Sequence, residues 1–424
     1  MNYIIADFQH RVPAFMADIA EEAKREGHSV TFLTAVIEPG NGEAERVRAC
    51  GELKEISNLR VILHWLRRPW FLLRREIRED IRRARSEHTC NRNFLITYLK
   101  HVLVSNALSA EILRTAKKRG GKCIAVATWF HVEAYAIALA KSRRPDLVTV
   151  ALAHSFEVNP DRNRYITCMQ NRFRHAYIDQ TIFISETVFR MYRDKMAQTL
   201  RIDDLKSRLM YLGSHNPTGA VNPPAPAGSA GKVIVTCSAC VMLKRVDLML
   251  ACFAKGLIAP DVRWVHIGDG SEFARQSGIA QKINEKLGRE AIVFAGRLNN
   301  LDVLEKYRTE HFDLFINMST VEGLPVSVME ALSFGIPVLA TDVGGTHEIV
   351  DETCGGLLPA KLDPELLAGA IADFFSKPEE TVREMRENAR RRWKERFDAA
   401  ENVPAIIHCL DSLGGTDRDP DTQR

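Results

Sequence analysis

Two glutamates, Glu322 and Glu330, stand eight residues apart in the run EGLPVSVMEALSFGIPVLATDVGG, which begins at Glu322. Pro325 suits the first position of a helix, where its missing N–H costs nothing. Gly335 and the proline that follows it end that helix. The free N–H groups and the positive dipole end at the start of a helix bind anions. The run therefore predicts an anion site with one carboxylate ahead of it and one a turn inside it.

A nucleotide sugar would suit this arrangement. Its diphosphate would lie on the backbone N–H groups of Val326 and Ser327. Glu330 would accept hydrogen bonds from the ribose hydroxyls, and Glu322 would reach the sugar on the other side. The plainer alternative is that Glu322 caps a helix and Glu330 is a solvated surface residue. Spacing alone favours that alternative, because glutamate pairs at this distance are common.

The elements that position these residues alternate between apolar strands and amphipathic helices, which indicates parallel sheets covered on both faces. We predict an α/β protein with two Rossmann-like domains whose parallel sheets face each other across a cleft. The domains span residues 1–215, for the acceptor, and 233–395, for the nucleotide sugar. A Pro/Gly-rich linker, 216–232, joins them, and 396–424 form a terminal helix and a disordered tail. The predicted strands are NYIIADF, SVTFLTA, CIAVATW, TVALAH and QTIFIS, then KVIVTC, VRWVHIG, AIVFAG, DLFINM, PVLAT and GGLLP.

Composition is that of an ordinary globular protein, with 46% hydrophobic and 26% charged residues among 424. No apolar run is long enough to span a bilayer, and the N-terminus is expected to be a strand rather than a secretory signal. The nine scattered cysteines indicate reduced thiols. Cys237 and Cys240 lack the partners of a zinc site. We therefore expect a cytoplasmic protein without a bound metal.

Charge is distributed unevenly between the two halves. Residues 1–215 hold 35 Lys+Arg and 24 Asp+Glu, whereas residues 216–424 hold 23 and 30. The segment Trp65–His88 carries eight arginines and is expected to form a basic amphipathic helix that touches an anionic membrane at the inner face of the cell membrane. An ordinary packed helix with a charged face is an equal alternative. Nucleic acid is not an expected partner, because no recognition motif is present.

The run TVEGLPVSVMEALSFGIPVLATDVGGTHEIV resembles the E-x7-E signature of retaining glycosyltransferases of family 4, which have the GT-B fold. The segments CSACVMLKRVDLML, HIGDGSEF, VFAGRLNNLDVLEKY and DLFINMS precede it in that family's order. The resemblance covers about residues 231–395 and is nearest to bacterial enzymes of exopolysaccharide and colanic-acid type. One departure is Ala239, which stands where the family often has an arginine five residues before the lysine.

The resemblance implies a role for each matching position. Glu322 would be catalytic, contacting the transferred sugar near its reacting centre, and Lys244 would neutralise the diphosphate. Arg297 and Leu298 would lie near the base, and Gly268 would let the chain approach the nucleotide. The full set of implied donor-binding residues is Lys244, Arg245, Gly268, Arg297, Leu298, Gly323, Leu324, Pro325, Val326, Ser327 and Glu330.

His154 follows an apolar strand in the run ALAHSFEV. A lone histidine at a strand end is more often structural. Here the run HSFE resembles the family's H-G-[YF]-D motif, which implies a catalytic histidine that hydrogen-bonds the donor sugar. Ser155 and Glu157 depart from that motif and leave the acceptor side open.

The resemblance therefore implies a retaining, metal-independent hexosyltransferase of surface polysaccharide biosynthesis. A UDP-sugar would be the donor, a glycan or lipid-linked saccharide the acceptor, and no cofactor would be needed. Two alternatives stay open: a sugar-nucleotide epimerase of the same fold, and a sugar-nucleotide binding protein without catalysis.

Overall fold

The computed structural model describes residues 1–67, 69–86, 88–158, 172–197, 206–226 and 231–415; the side chains of residues 69, 156 and 195–197 are outside this description. The contacts divide the chain into two compact units. Unit 1 is Met1–Leu212 together with the chain from Ala400 onward, and unit 2 is Gly213–Ala399.

Unit 1 is built on a parallel sheet of seven strands among the described residues, in the order β3-β2-β1-β4-β5-β6-β7. Its central strands are buried along nearly their whole length, as expected for a parallel sheet covered on both faces. The strands are β1 Asn2–Asp7, β2 Ser29–Thr34, β3 Glu52–Glu55, β4 Cys123–Ala127, β5 Val148–Ala153, β6 Gln180–Phe183 and β7 Ser207–Leu209.

The helices of unit 1 cover both faces of this sheet and enclose a core that includes Ile4, Leu33, Phe130 and Phe183. Short 3-10 and π segments lie at Pro69–Leu73 and Tyr192–Ala197. The α-helices are α1 Ala14–Arg25, α2 Gly42–Cys50, α3 Asn58–Arg67, α4 Arg75–Ser86, α5 Arg92–Arg119, α6 Val132–Lys141, α7 Ser155–Val158, α8 Arg172–Ala176 and α9 Glu186–Met191.

Unit 2 holds a second parallel sheet, of six strands among the described residues, in the order β10-β9-β8-β11-β12-β13. The chain changes direction across this sheet between β8 and β11, and ligands of open α/β sheets bind at the carboxyl ends of strands beside such a point. The strands are β8 Lys232–Cys237, β9 Val262–Ile267, β10 Ile292–Gly296, β11 Leu314–Asn317, β12 Val338–Thr341 and β13 Gly355–Leu358.

The helices of unit 2 pack over a core that includes Phe253, Trp264 and Ile316. A 3-10 turn at Met242–Lys244 precedes the first of them. They are α10 Val246–Ala254, α11 Phe273–Leu287, α12 Asn300–Thr309, α13 Val326–Ser333, α14 Thr346–Ile349, α15 Pro364–Phe375 and α16 Glu379–Arg396. The last described helix, α17 Ala399–Leu413, returns the chain to unit 1, where Asp411 accepts hydrogen bonds from Tyr3 and His28.

The predicted α/β class and the eleven predicted strands are confirmed. The described part of the chain adds two strands that the sequence did not indicate, β3 and β7, one at each edge of the first sheet. None of the helices in the described residues is both long and apolar enough to cross a bilayer.

The segment expected to link the domains packs on unit 2 where it is described. The side-chain amide of Asn222 donates to the carbonyls of Tyr307 and Glu310, both at 2.8 Å, and its oxygen accepts from the N–H of Phe312. Residues 227–230 of this segment and the tail 416–424 lie outside the described residues.

The single basic helix expected over Trp65–His88 is wrong. The segment contains the end of α3, the 3-10 turn and α4. Ile77 and Ala84 of α4 are buried against Phe94 and Tyr98 of α5, so the apolar side of α4 faces the protein interior.

Candidate active site

A pocket of about 360 Å³ lies in unit 2 at the carboxyl ends of its strands. This volume is within the usual range for sites that bind small molecules. Seven of the residues expected to bind a donor line it: Lys244, Gly268, Arg297, Leu298, Val326, Ser327 and Glu330. The remaining lining residues are Cys237, Ser238, Ala239, Ile267 and Val303.

Lys244 and Glu322 form an ion pair at the edge of this pocket. The Lys244 Nζ lies 2.5 Å from Oε1 of Glu322, and the Asn317 amide donates to the same oxygen at 3.2 Å. Glu322 is buried and Lys244 is half-buried. Because β8 and β11 pair side by side, the loops that follow them meet, and this pairing brings the two residues together across 78 positions.

Helix α13 begins at Val326, close to the predicted start, and Pro325 is its N-cap rather than its first helical residue. The carbonyl of Pro325 accepts from the N–H groups of Val328 and Met329. The N–H groups of Val326 and Ser327 precede the intrahelical bonds, and both residues line the pocket. Backbone N–H groups and the positive end of the helix dipole therefore face a space that Lys244 also reaches.

Glu330, the fifth residue of α13, is buried rather than solvated, which excludes the plain surface alternative. Desolvation raises its pKa to about 7, and the hydrogen bond from Asn300 opposes that shift. The Asn300 amide donates to Oε1 of Glu330 at 2.5 Å. A buried carboxylate that lines a pocket is a hydrogen-bond acceptor held ready for hydroxyl donors.

The Arg245 side chain bonds three backbone carbonyls and does not line the pocket. Arg245 has a left-handed backbone conformation, with φ of 49°, and its guanidinium donates to the carbonyls of Met318, Ser319 and Ala360. These bonds tie the loop after β11 to the start of α10. The cations that line the pocket are Lys244 and the exposed Arg297, and a role of Arg245 beside the diphosphate stays a prediction.

Two glycines are needed for close approaches of backbone to backbone. At Gly268, with φ of 139°, a Cβ would lie 1.9 Å from the carbonyl oxygen of Ser238. Glycine is therefore required here by the neighbouring loop; Gly268 also lines the pocket, and its expected approach to a nucleotide stays a prediction. At Gly344, with φ of 58°, a Cβ would lie 2.0 Å from the carbonyl oxygen of Glu322. The next residue, Gly345, donates its N–H to the carbonyl of Gly323 at 2.7 Å. The glycine pair thus holds the Glu322 loop.

His154 lies in unit 1, directly after β5, and is buried. Its Nε2 is 3.1 Å from the carbonyl oxygen of Thr128, which can only accept, so Nε2 carries the proton. The rings of Trp129 and Phe15 lie 4.5 and 5.3 Å from the imidazole, centroid to centroid. Burial lowers the pKa of His154 to about 4, so the ring is neutral at pH 7.

Asn300 and Asn317 are polar neighbours that sequence reasoning missed. Each holds one of the two glutamates by a side-chain amide. Asn317 is the last residue of β11, and Asn300 is the first residue of α12. The position of Asn317 at the carboxyl end of a strand is the sequence signal that could have indicated a site residue. Among the described residues, no three His, Cys, Asp or Glu side chains are grouped as metal ligands.

Curated relatives match part of this chain. N-acetyl-alpha-D-glucosaminyl L-malate synthase of Bacillus anthracis is 28% identical over 172 residues, which are 41% of this chain and 43% of that protein. The lipopolysaccharide core biosynthesis mannosyltransferase LpcC of Rhizobium leguminosarum bv. viciae is 26% identical over 209 residues, 48% of this chain and 58% of that protein. The chain thus spans about half the length of these curated relatives.

Solved structures match over almost the whole chain. Anabaena HepE in complex with UDP has a TM-score of 0.66 at 16% identity, covering 97% of this chain and 100% of that one. Sucrose-phosphate synthase of Thermosynechococcus elongatus has a TM-score of 0.67 at 15% identity, covering 98% and 99%. At such identities the likeness shows the fold, which is GT-B.

The pocket lies within the part of the chain that a family description covers. Residues 225–392 match the family of glycosyl transferases group 1, and this range includes both glutamates, Lys244 and the whole pocket lining. Two relatives of the chain are named for lipopolysaccharide core biosynthesis and O-antigen biosynthesis in bacteria. Residues 225–392 therefore form a group 1 glycosyltransferase domain.

Proposed function

We propose that the protein transfers a hexose-type sugar from a nucleoside-diphosphate sugar to a glycan or lipid-linked saccharide in surface polysaccharide biosynthesis. The observation that carries this proposal is a pocket lined by a cation, a helix N-terminus and the Glu330 carboxylate, with the Glu322 carboxylate paired to that cation at the pocket's edge. The cation and the helix N-terminus would bind the diphosphate. Glu330 would bind the ribose, and Glu322 would contact the sugar.

Donor binding divides among these groups. The diphosphate would lie at the Val326 and Ser327 amides, with Lys244 beside it, because both the dipole and the ammonium favour negative charge there. The ribose hydroxyls would donate hydrogen bonds to the Glu330 carboxylate. That carboxylate would then accept from the hydroxyls and from the Asn300 amide together. Arg297 and Leu298 would flank the base.

The proposed reaction retains the anomeric configuration. The bond from the sugar's anomeric carbon to the diphosphate oxygen breaks, and the acceptor oxygen bonds to that carbon on the same face. The acceptor's proton passes to the departing phosphate oxygen. Glu322 would stabilise the positive charge that develops on the sugar, and Lys244 with the α13 N-terminus would stabilise the negative charge on the leaving group.

Two further points belong to this proposal. Lys244 and the α13 N-terminus provide positive charge at the diphosphate, and we propose that transfer proceeds without added metal; equal rates with and without a chelator are the expected result. The neutral His154 would accept a sugar hydroxyl at Nδ1, which no described residue bonds, since its Nε2 proton is committed to Thr128.

UDP is the first donor nucleotide to test. Among the structural neighbours, HepE is described in complexes with UDP, with UDP and glucose, and with UDP-glucose. Relatives named for N-acetylglucosaminyl and mannosyl transfer leave the sugar open. A lipid-linked acceptor would be met at a membrane, and that contact is a separate proposal because it rests on unit 1.

The test is a product analysis. The purified protein is incubated with UDP-glucose, UDP-galactose, UDP-N-acetylglucosamine or GDP-mannose and a panel of saccharide acceptors. We expect one donor to give acceptor-dependent release of nucleotide and an α-linked product by NMR. A β-linked product would overturn retention. Epimerised donor, or no turnover beside tight nucleotide binding, would overturn the assignment as a transferase.

A further inference from the structure

Helix α3 turns its apolar stripe outward. Leu59, Ile62, Leu63 and Leu66 fall at the spacing of one helix face, and all four are exposed; Leu59 and Leu66 expose 64% and 61% of their surface. Val61 is the helix's buried residue. A surface helix normally buries its apolar stripe against the core. We call this exposed stripe of Leu59, Ile62, Leu63 and Leu66 the α3 face.

Neighbouring segments extend the same property. Trp70 and Leu73, in the 3-10 turn after α3, are 64% and 71% exposed. Helix α5 packs against α3, and its first turns expose Leu95, Ile96 and Leu99. Contiguous apolar exposure on this scale marks a binding surface rather than a random scatter of apolar residues.

The charge of this region decides the kind of partner. Residues 58–100 hold 11 Lys+Arg and 4 Asp+Glu, a balance of +7. Two of the acids, Glu76 and Asp80, are buried and bonded to Tyr135 and Tyr98. Because these two carboxylates are buried, they add little negative charge to the surface of this region, and its exposed charge is mainly that of the arginines.

The exposed cations lie close to the apolar stripe in sequence. Arg78 and Arg82 of α4 are exposed and form no ion pair with a described carboxylate, and the same holds for Arg60 and Arg67 on α3 itself. A second copy of the chain would bring a face of the same sign against this one, which is unfavourable. An anionic lipid surface supplies both apolar volume and negative charge.

We propose that the α3 face docks on an anionic phospholipid bilayer, with its leucines and Trp70 at the boundary between headgroups and acyl chains and its arginines on the headgroup phosphates. The docking region shares Leu66, Trp70 and its arginines with the expected segment Trp65–His88, but its apolar stripe lies on α3, because the apolar side of α4 is buried. Docking does not depend on sugar transfer, so it can be measured without any substrate.

The experiment is flotation of the full chain with vesicles of phosphatidylcholine alone or mixed with phosphatidylglycerol. The wild type is expected to bind the mixed vesicles, and high salt should weaken binding by screening. Combined Leu59→Ser, Ile62→Ser and Leu66→Ser should lower the partition coefficient at least tenfold. A matched control is combined Leu257→Ser, Leu287→Ser and Leu366→Ser, which changes three exposed leucines of unit 2 and should bind as the wild type does.

The charge contribution has its own variant. Combined Arg78→Gln and Arg82→Gln should reduce the preference for phosphatidylglycerol while leaving the weaker binding to phosphatidylcholine. Thermal unfolding of every variant checks that the fold is kept. The proposal is overturned if the wild type ignores mixed vesicles or if the α3 variant binds like the control. It is also overturned if light scattering shows a wild-type dimer that the α3 substitutions dissolve, since a second copy would then cover the face.

Discussion

The ammonium of Lys244 lies 2.5 Å from the carboxylate of Glu322, across the carboxyl ends of the paired strands β8 and β11. In this ion pair, the Lys244 ammonium is bound to Glu322 instead of the diphosphate, and the Glu322 carboxylate is bound to Lys244 instead of the sugar. A diphosphate that attracts Lys244 would release Glu322 toward the sugar. We infer that donor binding exchanges this ion pair for two substrate contacts, one for each residue.

Glu322→Gln should separate binding from turnover. Without the carboxylate charge, Lys244 no longer has to break an ion pair before it binds the diphosphate. The affinity for UDP should therefore rise about 2- to 5-fold, which corresponds to the free energy of one partly exposed ion pair. Turnover should fall about 10²- to 10³-fold, because charge stabilisation at the reacting centre is lost. Titration calorimetry with UDP and steady-state rates with the active donor measure the two effects. Glu305→Gln, at an exposed site, is the control and should change neither.

Glu330 should make stability depend on pH. Its pKa is raised from 4.5 to about 7 in the folded state, so the folded protein holds a proton that the unfolded chain releases above about pH 4.5. Stability should therefore fall as pH rises from about 4.5 to 7, by up to about 3 kcal/mol, and then level off. Cys237 nearby does not titrate in this window, since burial raises its pKa to about 12.

Glu330→Gln removes this contribution and should flatten the pH dependence of the unfolding free energy between about pH 4.5 and 7. Urea unfolding at several pH values measures it. Glu384→Gln, at an exposed position of α16, should leave the wild-type curve unchanged. Identical curves for Glu330→Gln and the wild type would show that Glu330 is not the titrating group.

Gly344→Ala should damage the Glu322 loop. Its Cβ would meet the Glu322 carbonyl oxygen in a backbone conformation that favours glycine, at a cost of about 2–3 kcal/mol. Displacing Glu322 should also lower turnover about tenfold or more. Gly278→Ala in α11 is the matched control, since nothing lies within 4 Å of its added Cβ. That variant should gain up to about 1 kcal/mol in urea unfolding.

Arg245 should matter for stability rather than for the donor. Arg245→Lys keeps the positive charge but removes the planar guanidinium that donates to three carbonyls. The free energy of unfolding should fall by about 2–3 kcal/mol. UDP affinity of the folded variant should stay within about twofold of the wild type. Thermal unfolding and titration calorimetry check the two parts. A large loss of UDP affinity with unchanged stability would restore the phosphate role.

The sequence predicted the buried strands and missed the edges of one sheet. Continuous apolar runs such as KVIVTC, Lys232–Cys237, identify central parallel strands because both of their faces are covered. The edge strand β3 reads ELKE and β7 has three residues, so neither has an apolar run to detect. The exposed stripe of α3 was missed for a related reason, since periodicity shows an amphipathic helix but not which side faces inward.

Site residues were predictable where a local motif places them. Pro325, Val326 and Glu330 follow from the start of one helix and its spacing. The hydrogen bond from Asn300 to Glu330 and the bonds from Arg245 to carbonyls are tertiary contacts between distant segments. No local pattern encodes them, and they required the structure.

The most direct test of the site is titration calorimetry of UDP, GDP and ADP into the wild type, Lys244→Ala and the control Lys282→Ala. Lys282 is exposed on α11, away from the pocket lining. The account predicts that one nucleoside diphosphate binds the wild type and Lys282→Ala alike, and that Lys244→Ala weakens it about 10- to 100-fold through loss of a charged contact. Undiminished binding by Lys244→Ala, or no binding of any of the three to the wild type, would contradict it.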